Sequence, residues 1–158
     1  MKQWRYLISV AVLTTLLSPV WATEGGVEIR GRVNDHAMVI SDGQRRQLHQ
    51  LLAQHRFASG QFVVVVTLAD RGDQDEAGAA EELWQQWQRK DKQNSGMLVL
   101  FKAQKSAAIV VGEALKEKLD AAEVQEIING ELAGALQEGD FDSAAMAGIK
   151  GMFNELGE

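Results

Sequence analysis

The chain has 158 residues, a formal net charge of −6 and no cysteine. That length suits one domain with a real core, and the missing cysteine excludes a disulfide framework, a thiolate zinc site and a cysteine nucleophile. An acidic balance argues against nucleic acid and anionic membrane as primary partners, and suits cations or a basic protein.

At the N-terminus, Lys2 and Arg5 precede an apolar stretch from Leu7 to Leu17, which Ser18 and Pro19 interrupt. Val20 and Ala22 then stand at the −3 and −1 positions of a cleavage point after Ala22, the pattern of a secretory signal peptide. The competing reading is an uncleaved anchor, but the stretch falls short of the roughly 20 apolar residues that a span needs. Residues 1–22 are therefore read as the signal and 23–158 as a single domain. Loss of Lys2 and Arg5 takes the charge from −6 to about −8. The expected product is exported: periplasmic in a Gram-negative cell, otherwise secreted. There is no lipid-attachment cysteine and no second long apolar run, so no integral membrane segment is expected after cleavage.

Val27, Ile29, Gly31 and Val33 alternate with Glu28, Arg30 and Arg32, which predicts a short half-exposed strand over 27–33. A loop over 34–40 carries Asp35 and His36. Ser41 with Gln44 three residues on is a capping-box pattern, and Leu48, Leu51 and Leu52 form the inward stripe of a helix running to about His55. Four consecutive valines within 62–68 read as a central strand covered on both faces. A second helix is predicted over 75–88, with Ala77, Ala80, Trp84 and Trp87 facing inward. Strands over 97–101 and 107–111 make a hairpin, and residues 112–119 form a connection with one helical turn. Asp120 with Glu123 opens a third helix, whose buried stripe is Val124, Ile127, Ile128, Leu132, Ala135 and Leu136. A last helix over 142–156 buries Ala145, Ile149, Met152 and Phe153. This order implies a mixed sheet with helices on its faces.

Few residues offer chemistry. His49 and His55 lie six apart on one helix, so they face different ways and read as surface residues rather than a metal pair. Asp35 and His36 sit in a loop leaving a strand, where ligand sites of α/β sheets gather. They support two readings: ligands to a divalent ion, or an Asx-turn aspartate beside a solvated histidine. The second is the commoner use of a loop aspartate. Asp73-Gln74-Asp75-Glu76 resembles half of an aspartyl-phosphate motif, but loop residues separate it from the strand, and acids at a helix start also complement its dipole. The nucleophile elbow, the zinc-binding His-Glu-x-x-His and the glycine-rich phosphate and dinucleotide loops are all missing. Gly130 and Gly134 suggest close packing of the third helix. Trp84 and Trp87 read as core rather than as a stacking platform.

Taken in order, several segments resemble the TPM domain family: Gly31-Arg32-Val33-Asn34-Asp35, the valine strand ending in Thr67, the tryptophan-bearing second helix, and Asn94-Ser95-Gly96 entering Met97 to Leu100. Val110-Val111-Gly112-Glu113, Leu119-Asp120 and Glu138-Gly139-Asp140-Phe141-Asp142 complete the series. The resemblance runs from about Gly31 to Phe153. It implies a Rossmann-like three-layer α/β/α sandwich with a small mixed β-sheet. It also implies an exported or lumenal protein, often held by a C-terminal membrane helix that this chain lacks. The family's reported roles are acid phosphatase activity in thylakoid-lumen relatives tied to photosystem repair, calcium or magnesium binding, and accessory roles beside membrane proteins.

The family's acidic residues stand after the first strand and before the glycine-initiated strand. Asp35 matches the first position. At the second, Asn94-Ser95-Gly96 replaces the family's Asp-Asn-Gly, leaving Asn94 with Asp91 three residues earlier. The metal set implied is Asp35, Asp91 and Asn94, with Ca²⁺ or Mg²⁺ as the ion. The stretches after the hairpin and after the second helix, Gly112 to Lys116 and Trp87 to Lys90, also depart from the family pattern. A preserved fold with an eroded acidic site points to a non-catalytic binding or accessory module of the cell envelope, engaging a membrane-associated or periplasmic protein. The alternative is a divalent-metal-assisted acid phosphatase.

Overall fold

The computed structural model describes residues 26–157; the expected signal peptide lies outside them. Four strands form one sheet in the order β1-β2-β3-β4: β1 Val33–Asp35, β2 Phe62–Leu68, β3 Ser95–Phe101 and β4 Ser106–Val111. The first three run parallel, and β4 returns antiparallel to β3. Helices α1 Asp42–Ser59, α2 Glu76–Gln86, α3 Ala121–Ile127, α4 Ala133–Glu138 and α5 Phe141–Leu156 cover its faces.

The pleat sorts the core into two halves. Val63, Val65, Leu98 and Leu100 face α1, α4 and α5, meeting Leu48, Leu52, Leu136, Ile149 and Met152. Val64, Val66, Met97 and Val99 face α2, meeting Ala80, Leu83 and Trp84. A strand with helices on both faces has no polar side to show, which is why the valine run does not alternate. Three layers result, as the sequence implies.

Local signals hold where side chains satisfy backbone. Ser41 caps α1, its Oγ accepting from Gln44 N–H at 3.2 Å, and Asp120 with Glu123 closes a complete capping box on α3. The α1 helix ends on Gly60 at φ 74°, a left-handed position that glycine takes without cost.

The first strand sits differently from expectation. Residues 26–30 form no ladder, and β1 begins at Val33. Asn34 is the reason: its buried Oδ1 accepts from Arg30 N–H at 3.0 Å and Gly31 N–H at 3.2 Å, and its Nδ2 donates to Gly31 C=O at 2.9 Å. That turn folds the chain back before the sheet. Val27 and Ile29 still pack inward against the α2 side of the core.

Two packing expectations also change. Ala77 is exposed, and Leu83 takes its place on the inward face of α2. Gly130 and Gly134 are exposed with open space around them, so they mediate no close helix packing. Gly130 instead sits where α3 widens into a π turn over Ile128–Leu132 before resuming as α4, with ψ of −137°. Among the described residues no helix is long and apolar enough to cross a membrane.

Candidate functional site

Asp35 ends β1 in register with Thr67 of β2. Its side chain is only 3 % exposed. Thr67 Oγ1 donates to Oδ1 at 2.5 Å, Val39 N–H to Oδ1 at 3.0 Å and Ile40 N–H to Oδ2 at 3.0 Å, while Arg45 Nη2 reaches Oδ2 at 3.3 Å. Burial alone pushes this carboxyl up, but the Thr67 bond, the two backbone donors and the Arg45 charge outweigh it, so its pKa lies below the ordinary value. Both oxygens are committed to organising the loop that leads into α1. This is the turn-forming aspartate reading, with His36 exposed beside it.

Asp91 and Asn94 belong to another part of the molecule. Asp91 is gripped by Arg89, with Nε to Oδ1 at 2.6 Å and Nη2 to Oδ2 at 3.0 Å, and by Arg56 at 3.1 Å. Desolvation raises its pKa, and the Arg89 and Arg56 guanidiniums hold it below normal. Arg89 also lies over the Phe62 ring at 3.5 Å. Asn94 Nδ2 donates to Gly60 C=O at 3.2 Å, and its residue closes a 3₁₀ turn over Lys92–Asn94.

The register separates the two groups. Asp35 lies opposite Thr67, whereas Ser95, the residue after Asn94, lies opposite Phe62. Phe62 and Thr67 are five steps apart along β2, roughly 16 Å at about 3.3 Å per residue. Asp35 is on the C-terminal edge of the parallel strands and Asp91 with Asn94 on the N-terminal edge. The three do not come together, which corrects the expectation that they form one cation site. The residues do not fit a Ca²⁺ or Mg²⁺ centre either: such ions take six or more free oxygens, and here one carboxylate is saturated by donors, the other is clamped by two arginines, and Asn94 offers one amide. Among the described residues no cluster of three His, Asp or Glu is placed to hold a metal.

His55 departs from its expected surface position. It is 3 % exposed, stacked on Phe153 at 3.7 Å, with Nε2 within 2.8 Å of Gln61 Oε1. His49 is exposed, as expected. Asp75 caps α2, its Oδ1 accepting from Gly78 N–H at 2.7 Å, and Glu76 follows in the first turn. That is the dipole-complementing use of the acidic run.

A large concavity lies elsewhere, along the edge of β4, which among the described residues pairs only with β3. A groove of about 1240 Å³ runs between α2 on one side and α3 and α4 on the other. Its floor is β4 itself, Ser106-Ala-Ala-Ile-Val-Val111. Gly112 N–H bonds Ser95 C=O at 2.8 Å. By the antiparallel alternation, Val110, Ala108 and Ser106 then also bond β3. The N–H and C=O groups of Ala107, Ile109 and Val111 therefore point out into the groove. Ser106 Oγ is shielded there without a partner. Leu119, Val124, Ile128 and Leu136 form one wall, and Asp75, Glu76 and Glu81 the other. The sequence held one signal for this site: the second strand of a hairpin followed only by helices must be a sheet edge.

The fold defines a small Rossmann-like α/β/α domain in which, among the described residues, β4 pairs only with β3 and lines a groove. The TPM domain family model matches residues 33–155, and the chain belongs to that family. Two solved structures share the fold. The N-terminal domain of a protein from P. gingivalis is 23 % identical, with a TM-score of 0.72 over 78 % of this chain and 80 % of that one. The N-terminal domain of the cg2496 protein from Corynebacterium glutamicum is 17 % identical, with a TM-score of 0.63 and 82 % of each chain covered. No curated protein matches the chain significantly.

Proposed function

We propose that this TPM domain is an exported, non-catalytic binding module of the cell envelope, which holds a membrane-associated or periplasmic protein in the groove over β4. The observation that carries this reading is the uncharged edge of β4, unpaired among the described residues and set at the bottom of that groove. Exposed edges of this kind are aggregation hazards that proteins usually blunt with charge, proline or cover. A strand reading Ser-Ala-Ala-Ile-Val-Val carries no charge and no proline, and its residues are half-buried or buried at the base of the groove, so a function for the edge is the economical account. Export rests on the N-terminal pattern of Lys2, Arg5, the apolar core and Ala22.

The test is a photo-crosslinking amino acid placed at Ile109 in the native host, with His36 as the control position. A discrete adduct with one envelope protein from Ile109, and none from His36, is the expected result. Adducts from both positions, or from neither, would overturn the reading.

A further inference from the structure

We propose that the β4 groove takes an extended segment of its partner as a fifth strand, and that this segment alternates apolar and basic side chains. The inference rests on the binding-module reading and names what the module recognises.

The backbone comes first. Ala107, Ile109 and Val111 turn their N–H and C=O groups outward, the row of donors and acceptors that strand addition uses. The six residues of β4 span about 20 Å at about 3.3 Å each. A groove of about 1240 Å³ is larger than the usual small-molecule pocket, and all six residues of β4 line it.

Side chains of an added strand would point alternately to the two walls. The wall toward α3 and α4 is apolar, presented by the half-buried Val124 and Ile128 with the core residues Leu119 and Leu136 beneath them. The wall toward α2 is acidic, with Asp75, Glu76 and Glu81. Five carboxylates in all line the groove against two lysines, Lys105 and Lys116. Lys116 pairs with Glu113 at 2.7 Å and Glu76 with Arg71 at 3.3 Å, while Lys105 donates to Gln137 C=O at 3.1 Å, so Asp75, Glu81 and Asp120 stand against Lys105 alone. Every second residue of the guest therefore meets apolar surface, and the residues between meet net negative charge.

The same charges argue against a second copy of this chain. Two β4 edges brought together would set two acidic walls against each other, which is unfavourable at such range. Residues 1–25 also fail the pattern, since their only cations are Lys2 and Arg5.

The experiment titrates the purified protein with three short blocked peptides and follows backbone amide NMR shifts. One peptide alternates valine and lysine, one alternates valine and glutamate, and one repeats the first with N-methyl groups on every second backbone nitrogen. The valine–lysine peptide should shift Ala107, Ile109 and Val111, and the other two should bind at least about tenfold more weakly. Glu81→Lys, on the exposed rim of α2, should weaken the first peptide while leaving the unfolding temperature unchanged. Equal binding of the acidic or N-methylated peptide, shifts centred elsewhere, or no binding of the valine–lysine peptide would overturn strand addition. Crosslinks from Ile109 alongside such a failure would leave the module standing with another mode of docking. Peptide binding without crosslinks in the host would sink the module reading itself.

Discussion

Thr67 Oγ1 donates to Asp35 Oδ1 at 2.5 Å across the β1–β2 register, tying the end of one strand to its neighbour at the C-terminal edge of the sheet. Thr67 is itself fully buried, and it also accepts from Ala37 N–H at 3.1 Å. Asp35 and Thr67 together therefore fix the path of residues 37–40 into α1. Replacing Asp35 by Ala removes the acceptor of three hydrogen bonds and an arginine contact, and should cost about 2–4 kcal/mol of stability in urea unfolding. A loss under about 0.5 kcal/mol would show that the network is ornamental.

The same carboxylate makes a pH prediction. Its folded pKa lies below the ordinary value, so its stabilisation is present above the unfolded pKa of about 3.9 and is lost as pH falls through the folded value. The stability difference between wild type and Asp35→Asn should be largest above about pH 5 and shrink toward pH 2. A difference that grows on acidification would mean that the group is held neutral in the fold.

His55 and His49 should separate cleanly. His55→Ala removes a ring stacked on Phe153 and leaves Gln61 short of a partner, so about 2–4 kcal/mol should be lost. His49→Ala should change stability by less than about 0.5 kcal/mol. Both values come from the same denaturant titration, and equal effects would contradict the packing described.

Gly112 is held by close approach. A Cβ there would lie 2.2 Å from Lys92 C=O and 2.3 Å from Gln93 C=O. Gly112→Ala must displace the 3₁₀ turn over Lys92–Asn94, and should cost about 3 kcal/mol or more, read as a drop in thermal midpoint.

Millimolar calcium or magnesium should shift that midpoint by less than about 1 °C, because Asp35 and Asp91 stand at opposite sheet edges. A rise of several degrees, abolished in Asp35→Asn, would restore a cation site that includes this carboxylate.

What the sequence made legible follows from which forces are local. The unalternating valines of β2 announced a strand covered on both sides, and Asp120 with Glu123 announced a helix start, since capping is a contact within one turn. The β1 boundary was illegible because the side chain of Asn34 overrides the alternation of Val27 and Ile29. His55 was misplaced because the six-residue spacing from His49 says which faces differ, not which face Phe153 will cover. The proposed cation set failed for a geometric reason. A family pattern gives loops in chain order, and only the parallel register of β1, β2 and β3 reveals that Asp35 and Asp91 leave opposite ends of the sheet. The groove over β4 depends on which elements do not pair, a property of the whole topology.

The most direct test of the account is residue-resolved amide hydrogen exchange along β4 in the purified protein. An open edge predicts alternation: the amides of Ala108 and Val110, bonded to β3, exchange slowly, while those of Ala107, Ile109 and Val111 exchange fast. Uniform slow exchange from Ser106 to Val111 would show that the edge is already covered in the protein alone, and the groove could not then be the site that receives a partner.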